Sequence, residues 1–305
     1  MKVVFMGTPE FAVPVLDALR RSSHEVVAVI AQPDREKDKK GNILRTPVHA
    51  YCDEHGLRYF AFDRISDHVS ELIEFGADVF VTAAFGQLLS RAVLEVPSRG
   101  VLNVHASVLP AYRGSSPIQS AILAGDKESG VTIMQTDIGM DTGDILSVKK
   151  LEISNKDTYG SLSDKLSVLG ADLLIETLSA LENGNIKKIK QDESLANHCK
   201  KISKADGVID WSRPASEISC KIRAYNPWPI AYTFLDGTPF KIYEAEVSDY
   251  SGLSAGEICI RGGDMTVGCG EGSLRLITVQ LPGKKAMPVA EFLRGHKTKS
   301  GCVLG

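Results

Sequence analysis

The chain lacks most of the features that announce a function outright. Its 305 residues include six cysteines (positions 52, 199, 220, 259, 269 and 302), and no two of them form a CxxC pair. Cysteines so scattered build neither a zinc site nor a disulfide framework; reduced thiols, a cytoplasmic location and no metal are expected. The opening apolar run, Val3 to Met6, is shorter than the core of a secretory signal. No stretch approaches the roughly 20 apolar residues of a membrane helix, so neither a leader nor a membrane association is expected. Neither sign of charge dominates, with 35 Lys and Arg against 38 Asp and Glu. The net charge of -3 does not mark a general nucleic-acid binder, although a local basic surface is compatible with it. There is no internal repeat and no low-complexity tract. The dinucleotide fingerprint GxGxxG is absent where the first strand ends: only Gly7 is present, Pro9 has no N–H to give, and Glu10 puts a carboxylate where a pyrophosphate would sit. There is no Walker sequence, and no serine or cysteine stands in a nucleophile elbow.

What is present is an ordinary globular balance, 43% hydrophobic and 24% charged residues, with enough length for two domains. The first half alternates strand and helix signals. Short apolar runs at 3–7, 25–31, 77–85, 101–107, 130–136 and 144–153 read as strands. Thr8-Pro9 and Thr46-Pro47 both look like a helix N-cap followed by proline at the first helical position. The second of these helices ends on Gly56, a further one runs from Ser116-Pro117 to Gly125, and a long amphipathic segment covers 157–184. Nearly continuous apolar strands separated by helices predict a doubly wound α/β domain. Its sheet should be parallel and covered on both faces, with its site at the carboxyl ends of the strands.

After residue 185 the pattern changes. Residues 186–206 are polar and lysine-rich and read as a linker. Residues 207–305 carry a helix near 214–224 and then short strands in hairpins, with turn signals at Asp236-Gly237 and Gly262-Gly263. That spacing suggests a small barrel. The organisation expected is therefore a catalytic domain over 1–185, a linker over 186–206 and a β domain over 207–305.

Two stretches carry chemistry. "VLNVHAS" (101–107) places Asn103 and His105 on one face of a strand, because residues two apart point the same way. Two polar side chains at the open end of a parallel sheet suit a site better than a core. "DIGMDTGDI" (137–145) is a turn by composition, yet Asp141 lies between Gly139 and Gly143, where backbone can approach a ligand. An aspartate beside a histidine fixes its tautomer and stabilises its charged form. With no enzyme nucleophile in view, the set suits direct attack by a substrate nucleophile on a carbonyl. Asn103 would donate to the oxyanion and His105 would shuttle a proton.

"NVHASVLPAYRGSSPIQ" followed by "GVTIMQTDIGMDTGDI" resembles the folate-dependent formyltransferases. The opening "VVFMGTPEFAVPVLDAL", the loop "AQPDREKDKKGNILRTPVHAYC" and the later "KISKADGVIDW" and "IRAYNPWPIAYT" resemble the branch that formylates methionyl initiator tRNA, from residue 2 to about 300. The resemblance implies a Rossmann-like N-terminal domain and an OB-like C-terminal barrel that helps hold tRNA. It implies a chain acting as a monomer, with 10-formyltetrahydrofolate as donor. The family's catalytic asparagine, histidine and aspartate fall on Asn103, His105 and Asp141. Folate contacts are implied for Phe85, Gly86, Gln87, Leu88, Ser107, Leu109, Pro110, Asp137, Gly139 and Asp144. For tRNA phosphates the basic residues Arg35, Lys37, Lys39 and Lys40 in the loop, and Lys187, Lys188, Lys201 and Lys204 in the linker, are the candidates. The sequence departs from the family at Phe85 (usually tyrosine), Val108 (usually leucine), Ser90 (usually proline) and Glu36 to Gly41. In that last loop Lys39 takes the place of an arginine and loses its planar fork. The alternatives are a sugar-nucleotide N-formyltransferase with the same donor, a formyltetrahydrofolate hydrolase, and a non-catalytic Rossmann module.

Overall fold

The computed structural model describes residues 1–38 and 40–305. The chain divides into two compact units: Met1–Pro117, Glu128–Glu152 and Ser163–Cys199 form one, and Ile118–Lys127, Ile153–Leu162 and Lys200–Gly305 the other. As far as Cys199 the elements are β1 (Lys2–Gly7), α1 (Ala12–Arg21), β2 (Glu25–Ala31), α2 (Pro47–His55), β3 (Tyr59–Ala61), α3 (Val69–Glu74), β4 (Val79–Ala83), α4 (Arg91–Leu94), β5 (Val101–His105), β6 (Arg113–Gly114), α5 (Pro117–Ala124), β7 (Glu128–Gln135), β8 (Ile145–Glu152), α6 (Tyr159–Glu182) and β9 (His198–Cys199).

Seven of these strands form one sheet in the order β3-β2-β1-β4-β5-β7-β8. The five from β3 to β5 are parallel. Val4, Met6, Ala28, Ile30 and Phe80 pack on one face against Ile65, Leu72 and Val93, while Val3, Phe5 and Val29 on the opposite face are equally buried. Burial on both sides is why these strands read as unbroken apolar runs. Gly7 closes β1 because a Cβ there would lie 2.7 Å from Ala12 Cβ and 2.9 Å from the Ala83 carbonyl oxygen.

Two expectations are corrected. The sheet is mixed: β7 pairs antiparallel with both β5 and β8. The connection from Thr136 to Asp144 holds no helix, so it makes a hairpin and not a crossover. The two Thr-Pro pairs also behave differently. Thr46 caps α2, accepting the His49 N–H at 3.4 Å, with Pro47 in the first turn and Gly56 as the left-handed cap. Thr8 caps nothing, because its hydroxyl accepts the Gln32 N–H at 3.1 Å and α1 starts only at Ala12. The first free amides of α1, at Ala12 and Val13, donate to the Pro9 and Glu10 carbonyls.

The stretch 186–206 divides between the units at Cys199. Its first part is tied down: Ile189 exchanges two backbone hydrogen bonds with Ile145, and β9 pairs parallel with β6.

In the other unit the further elements are α7 (Ala215–Ala224), β10 (Ala231–Leu235), β11 (Thr238–Ser248), β12 (Ile258–Arg261), β13 (Asp264–Gly268), β14 (Ser273–Gln280), β15 (Met287–Pro288) and α8 (Val289–Gly295). The strands pair antiparallel in the order β10-β11-β14-β13-β12, with β15 on β14. Both central residues of the Asp236-Gly237 and Gly262-Gly263 turns have positive φ, which glycine supplies at three of the four positions and Asp236 itself at 49°. Such turns match the twist of the strands that they join. Trp211, Ile218, Ile222, Phe240, Met265, Leu276 and Phe292 make the core.

Candidate active site

β5 carries its two polar residues to the carboxyl end of the parallel strands. Asn103 pairs in register with Thr82 of β4 on one side and Met134 of β7 on the other. The buried Thr82 hydroxyl donates to Asn103 Oδ1 at 2.9 Å, a shorter contact than the alternative Leu102 carbonyl at 3.3 Å. That bond fixes the amide: its oxygen faces the strand, and its Nδ2 points out toward Asp141 Oδ1, 3.4 Å away. At that length little is invested in the contact, so an N–H remains to be given to a ligand oxygen.

His105 is buried, 6% exposed, and its two ring nitrogens differ. Nε2 lies 3.0 Å from the Tyr112 carbonyl oxygen, an acceptor only, so it carries the proton. Nδ1 faces the same Asp141 Oδ1 at 3.7 Å, too far for a direct hydrogen bond. The tautomer is therefore set by the Tyr112 carbonyl and not by Asp141 as expected. The carboxylate supplies a charge close to Nδ1, the nitrogen left to exchange a proton.

Asp141 is held from two sides. Its Oδ2 accepts the Gly114 N–H at 2.8 Å, and its φ of 55° puts it in the left-handed region. Gln191 clamps the backbone around it, its Nε2 donating to the Asp141 and Gly143 carbonyls at 2.8 Å each. Gln191 Oε1 accepts from Arg113 Nε at 3.0 Å. The Arg113 guanidinium, 1% exposed, is gripped by both oxygens of Glu193 at 2.8 Å. The hydrogen-bonded pair raises the Arg113 pKa and holds the Glu193 carboxyl below its usual range. Asn197 completes the brace, its carbonyl accepting the Arg113 N–H and its side-chain oxygen the Tyr112 N–H.

Asn103, His105 and Asp141 are thus brought together. The residues expected at the donor are placed unevenly. Phe85 is buried, and its carbonyl accepts Gln32 Nε2 at 2.9 Å; Gly86, with φ 76°, lies against the same Gln32 side chain. The Gln87 amide is committed to Phe62 and Ile65, whereas Leu88 is 77% exposed. Ser107 and Leu109 are buried: the Ser107 hydroxyl donates to the Ala111 carbonyl, and the Leu109 N–H donates to the Thr132 hydroxyl. Pro110 follows Leu109 through a cis peptide. Asp137 accepts from the Gly139 N–H and the Thr142 hydroxyl and so shapes its own loop, and Asp144 pairs with Lys190 at 2.9 Å.

Among the basic residues, Arg35 pairs with Asp63, and Lys37 bridges Ile43 through the backbone. Lys40 is exposed, as are Lys187, Lys188, Lys201 and Lys204; Lys39 lies outside the described residues. Among the described residues no cluster of three or more His, Cys, Asp or Glu side chains could hold a metal ion, and no helix is long and apolar enough to cross a membrane. Burial pushes the Cys52 thiol up to about 12 and the Cys269 thiol up to about 11, which leaves neither as a nucleophile at neutral pH.

Sequence reasoning missed Thr82, Gln191, Glu193 and Asn197. Thr82 had a signal, a hydroxyl inside the apolar run 77–85. The other three sit in a stretch so polar that no residue in it stands out.

The family described as formyl transferase matches residues 1–178, and the formyl transferase C-terminal domain matches 201–297. The methionyl-tRNA formyltransferase of Lachnospira eligens is 43% identical over all of both chains. That of Agathobacter rectalis is 44% identical, covering 99% of this chain and 98% of its own. The N-formyltransferase of Helicobacter canadensis, solved with folinic acid and dTDP-3-aminofucose, superposes with a TM-score of 0.69 at 19% identity, covering 90% of this chain and 98% of that one; at that identity the likeness is one of fold. With both parts matched in order and full-length relatives above two-fifths identity, this chain belongs to the formyl transferase family.

Proposed function

We propose that this chain transfers the formyl group of 10-formyltetrahydrofolate to the α-amine of methionyl initiator tRNA, as a monomer in the cytoplasm. The supporting observation is that an amide N–H of Asn103 and an imidazole nitrogen of His105 both face one oxygen of Asp141, at 3.4 and 3.7 Å. The full-length relatives named for this reaction support the choice of acceptor.

A free α-amine titrates at roughly 7.7–8.0. Esterification of the neighbouring carboxyl lowers that further, so a neutral amine is available at physiological pH without a strong base. Attack forms a nitrogen–carbon bond at the formyl carbon, and Asn103 Nδ2 donates to the oxyanion that develops. His105 accepts the proton that the amine loses through Nδ1, and Asp141 stabilises the imidazolium. The same nitrogen returns the proton to the folate nitrogen as its bond to the formyl carbon breaks, so no group is left on the enzyme.

In this reading catalysis belongs to residues 1–185 and tRNA contacts come from 207–305, from the 35–40 loop and from Lys187, Lys188, Lys201 and Lys204. Leu88, 77% exposed, is an apolar residue of the folate set left open to a ligand. The test is formyl loss from 10-formyltetrahydrofolate offered with charged initiator tRNA, with a nucleotide-linked amino sugar, or with water alone. Turnover only with the charged tRNA is expected. Faster turnover with the amino sugar would move the chain to the sugar N-formyltransferases, and turnover without acceptor would make it a hydrolase.

A further inference from the structure

The left-handed φ of 55° at Asp141 is one that aspartate visits only occasionally, and hydrogen bonds from other segments hold the backbone there. The side chain that grips this backbone lies outside the 137–145 loop. Gln191 spends both Nε2 hydrogens on the carbonyls of Asp141 and Gly143, either side of Thr142, and its Oε1 on Arg113 Nε. All three contacts lie between 2.8 and 3.0 Å, so the amide has little freedom to turn.

Arg113 is equally constrained, being 1% exposed and gripped through both terminal nitrogens by Glu193. Its two neighbours touch the site. The Tyr112 carbonyl accepts from His105, and the Gly114 N–H donates to Asp141 Oδ2. Gln191 therefore ties the loop that carries Asp141 to the segment that orients His105. Only an amide of this length can do so, since glutamate would set a carboxylate against two carbonyl oxygens and asparagine is one methylene short.

We propose that Gln191, supported by the Arg113–Glu193 pair, is the positioning residue that sets Asp141 against His105 and Asn103. It touches no reacting atom and acts through Asp141. The proposal rests on the reading of Asp141 as part of the catalytic set.

The experiment is a double-mutant cycle on the full chain with 10-formyltetrahydrofolate and charged initiator tRNA. Gln191→Ala is expected to lower kcat roughly tenfold to a hundredfold, the scale of a small misplacement of a catalytic group. The KM for the donor should stay within about twofold, because ground-state contacts are retained. In an Asp141→Asn background the same substitution should cost almost nothing more, because the group that it positions is already disabled. An unchanged kcat for Gln191→Ala, or a loss that multiplies in full with that of Asp141→Asn, overturns the positioning role. An active Asp141→Asn single variant would instead overturn the reading of Asp141 itself. If Gln191→Ala does not fold, the exposed end of the brace is tested by Glu193→Ala. A smaller loss of kcat that disappears in the Asp141→Asn background is expected there, and a kcat equal to the parent's overturns the proposal.

Discussion

The two sheets treat a polar residue in opposite ways. In the first unit β4 is buried at every position, so Thr82 is an anomaly in its strand, and Asn103 and His105 are anomalies in β5. A polar group there must be satisfied or have work to do. In the second unit β10 alternates buried and half-buried positions, and β11 is exposed over much of its length. Polar residues are unremarkable on such strands, and the buried exception, Thr233, serves the core by accepting the Trp211 Nε1–H at 3.1 Å. Buried strands make a candidate catalytic residue stand out in the sequence, whereas on half-solvated strands a polar residue carries no such signal.

Substituting the matching polar positions in each sheet tests that contrast. The largest effects should come from β5. Asn103→Ala and His105→Ala are each expected to cut kcat by roughly a hundredfold or more, the scale of losing an oxyanion donor or a proton carrier. Thermal unfolding should move little for Asn103→Ala, where the Thr82 hydroxyl keeps the Leu102 carbonyl as acceptor, and more for His105→Ala, which empties a buried position and frees the Tyr112 carbonyl. Steady-state kinetics on folded variants check this, and near-parental turnover in either would make β5 a structural strand like β10.

Asp141→Asn comes next. Asparagine adopts the left-handed region and turns readily, so the loop should survive. Activity should nevertheless fall by more than about tenfold, because the charge facing His105 Nδ1 is gone. Full activity would reduce the 137–145 stretch to a turn.

In the second sheet Thr233→Val should reverse the pattern. Leaving the buried Trp211 N–H without a partner costs about 1–3 kcal/mol, read as a lower denaturation midpoint. The kcat of the folded variant should be unchanged. A large loss of kcat with stability intact would break the comparison.

The smallest and most conditional effect concerns charge. Removing the charges at Lys37, Lys39 and Lys40 should weaken charged-tRNA binding and flatten its dependence on salt through fewer released counterions. Folate binding should be unaffected. Titrations at two salt concentrations check this, and equal slopes for parent and variant would remove the loop from the tRNA contacts.

Much of the fold was legible because burial leaves a mark on sequence. Apolar runs located the strands β1, β2, β4 and β5, and Thr46-Pro47 with Gly56 bounded α2. The same Thr-Pro signal failed at residue 8, where the Gln32 N–H, distant in sequence, takes the hydroxyl first. Strand direction at β7 is not legible in its apolar run, which carries no arrow; the helix-free connection to β8 is the local sign of antiparallel pairing.

The sequence by itself determined which residues are the candidates for the chemistry. Asn103 and His105 share a strand face by the two-residue period of a β-strand, and Asp141 stands in a loop of glycines and aspartates. Tertiary structure decided how they are held. The Tyr112 carbonyl sets the histidine tautomer, Thr82 turns the Asn103 amide outward, and Gln191 fixes the loop from beyond α6. Periodicity and capping are local in the chain and leave a local pattern. A hydrogen bond between residues 50 positions apart, as from Gln191 to Asp141, leaves none, because nothing in a polar stretch marks the side chain that makes it and only the folded backbone selects that one.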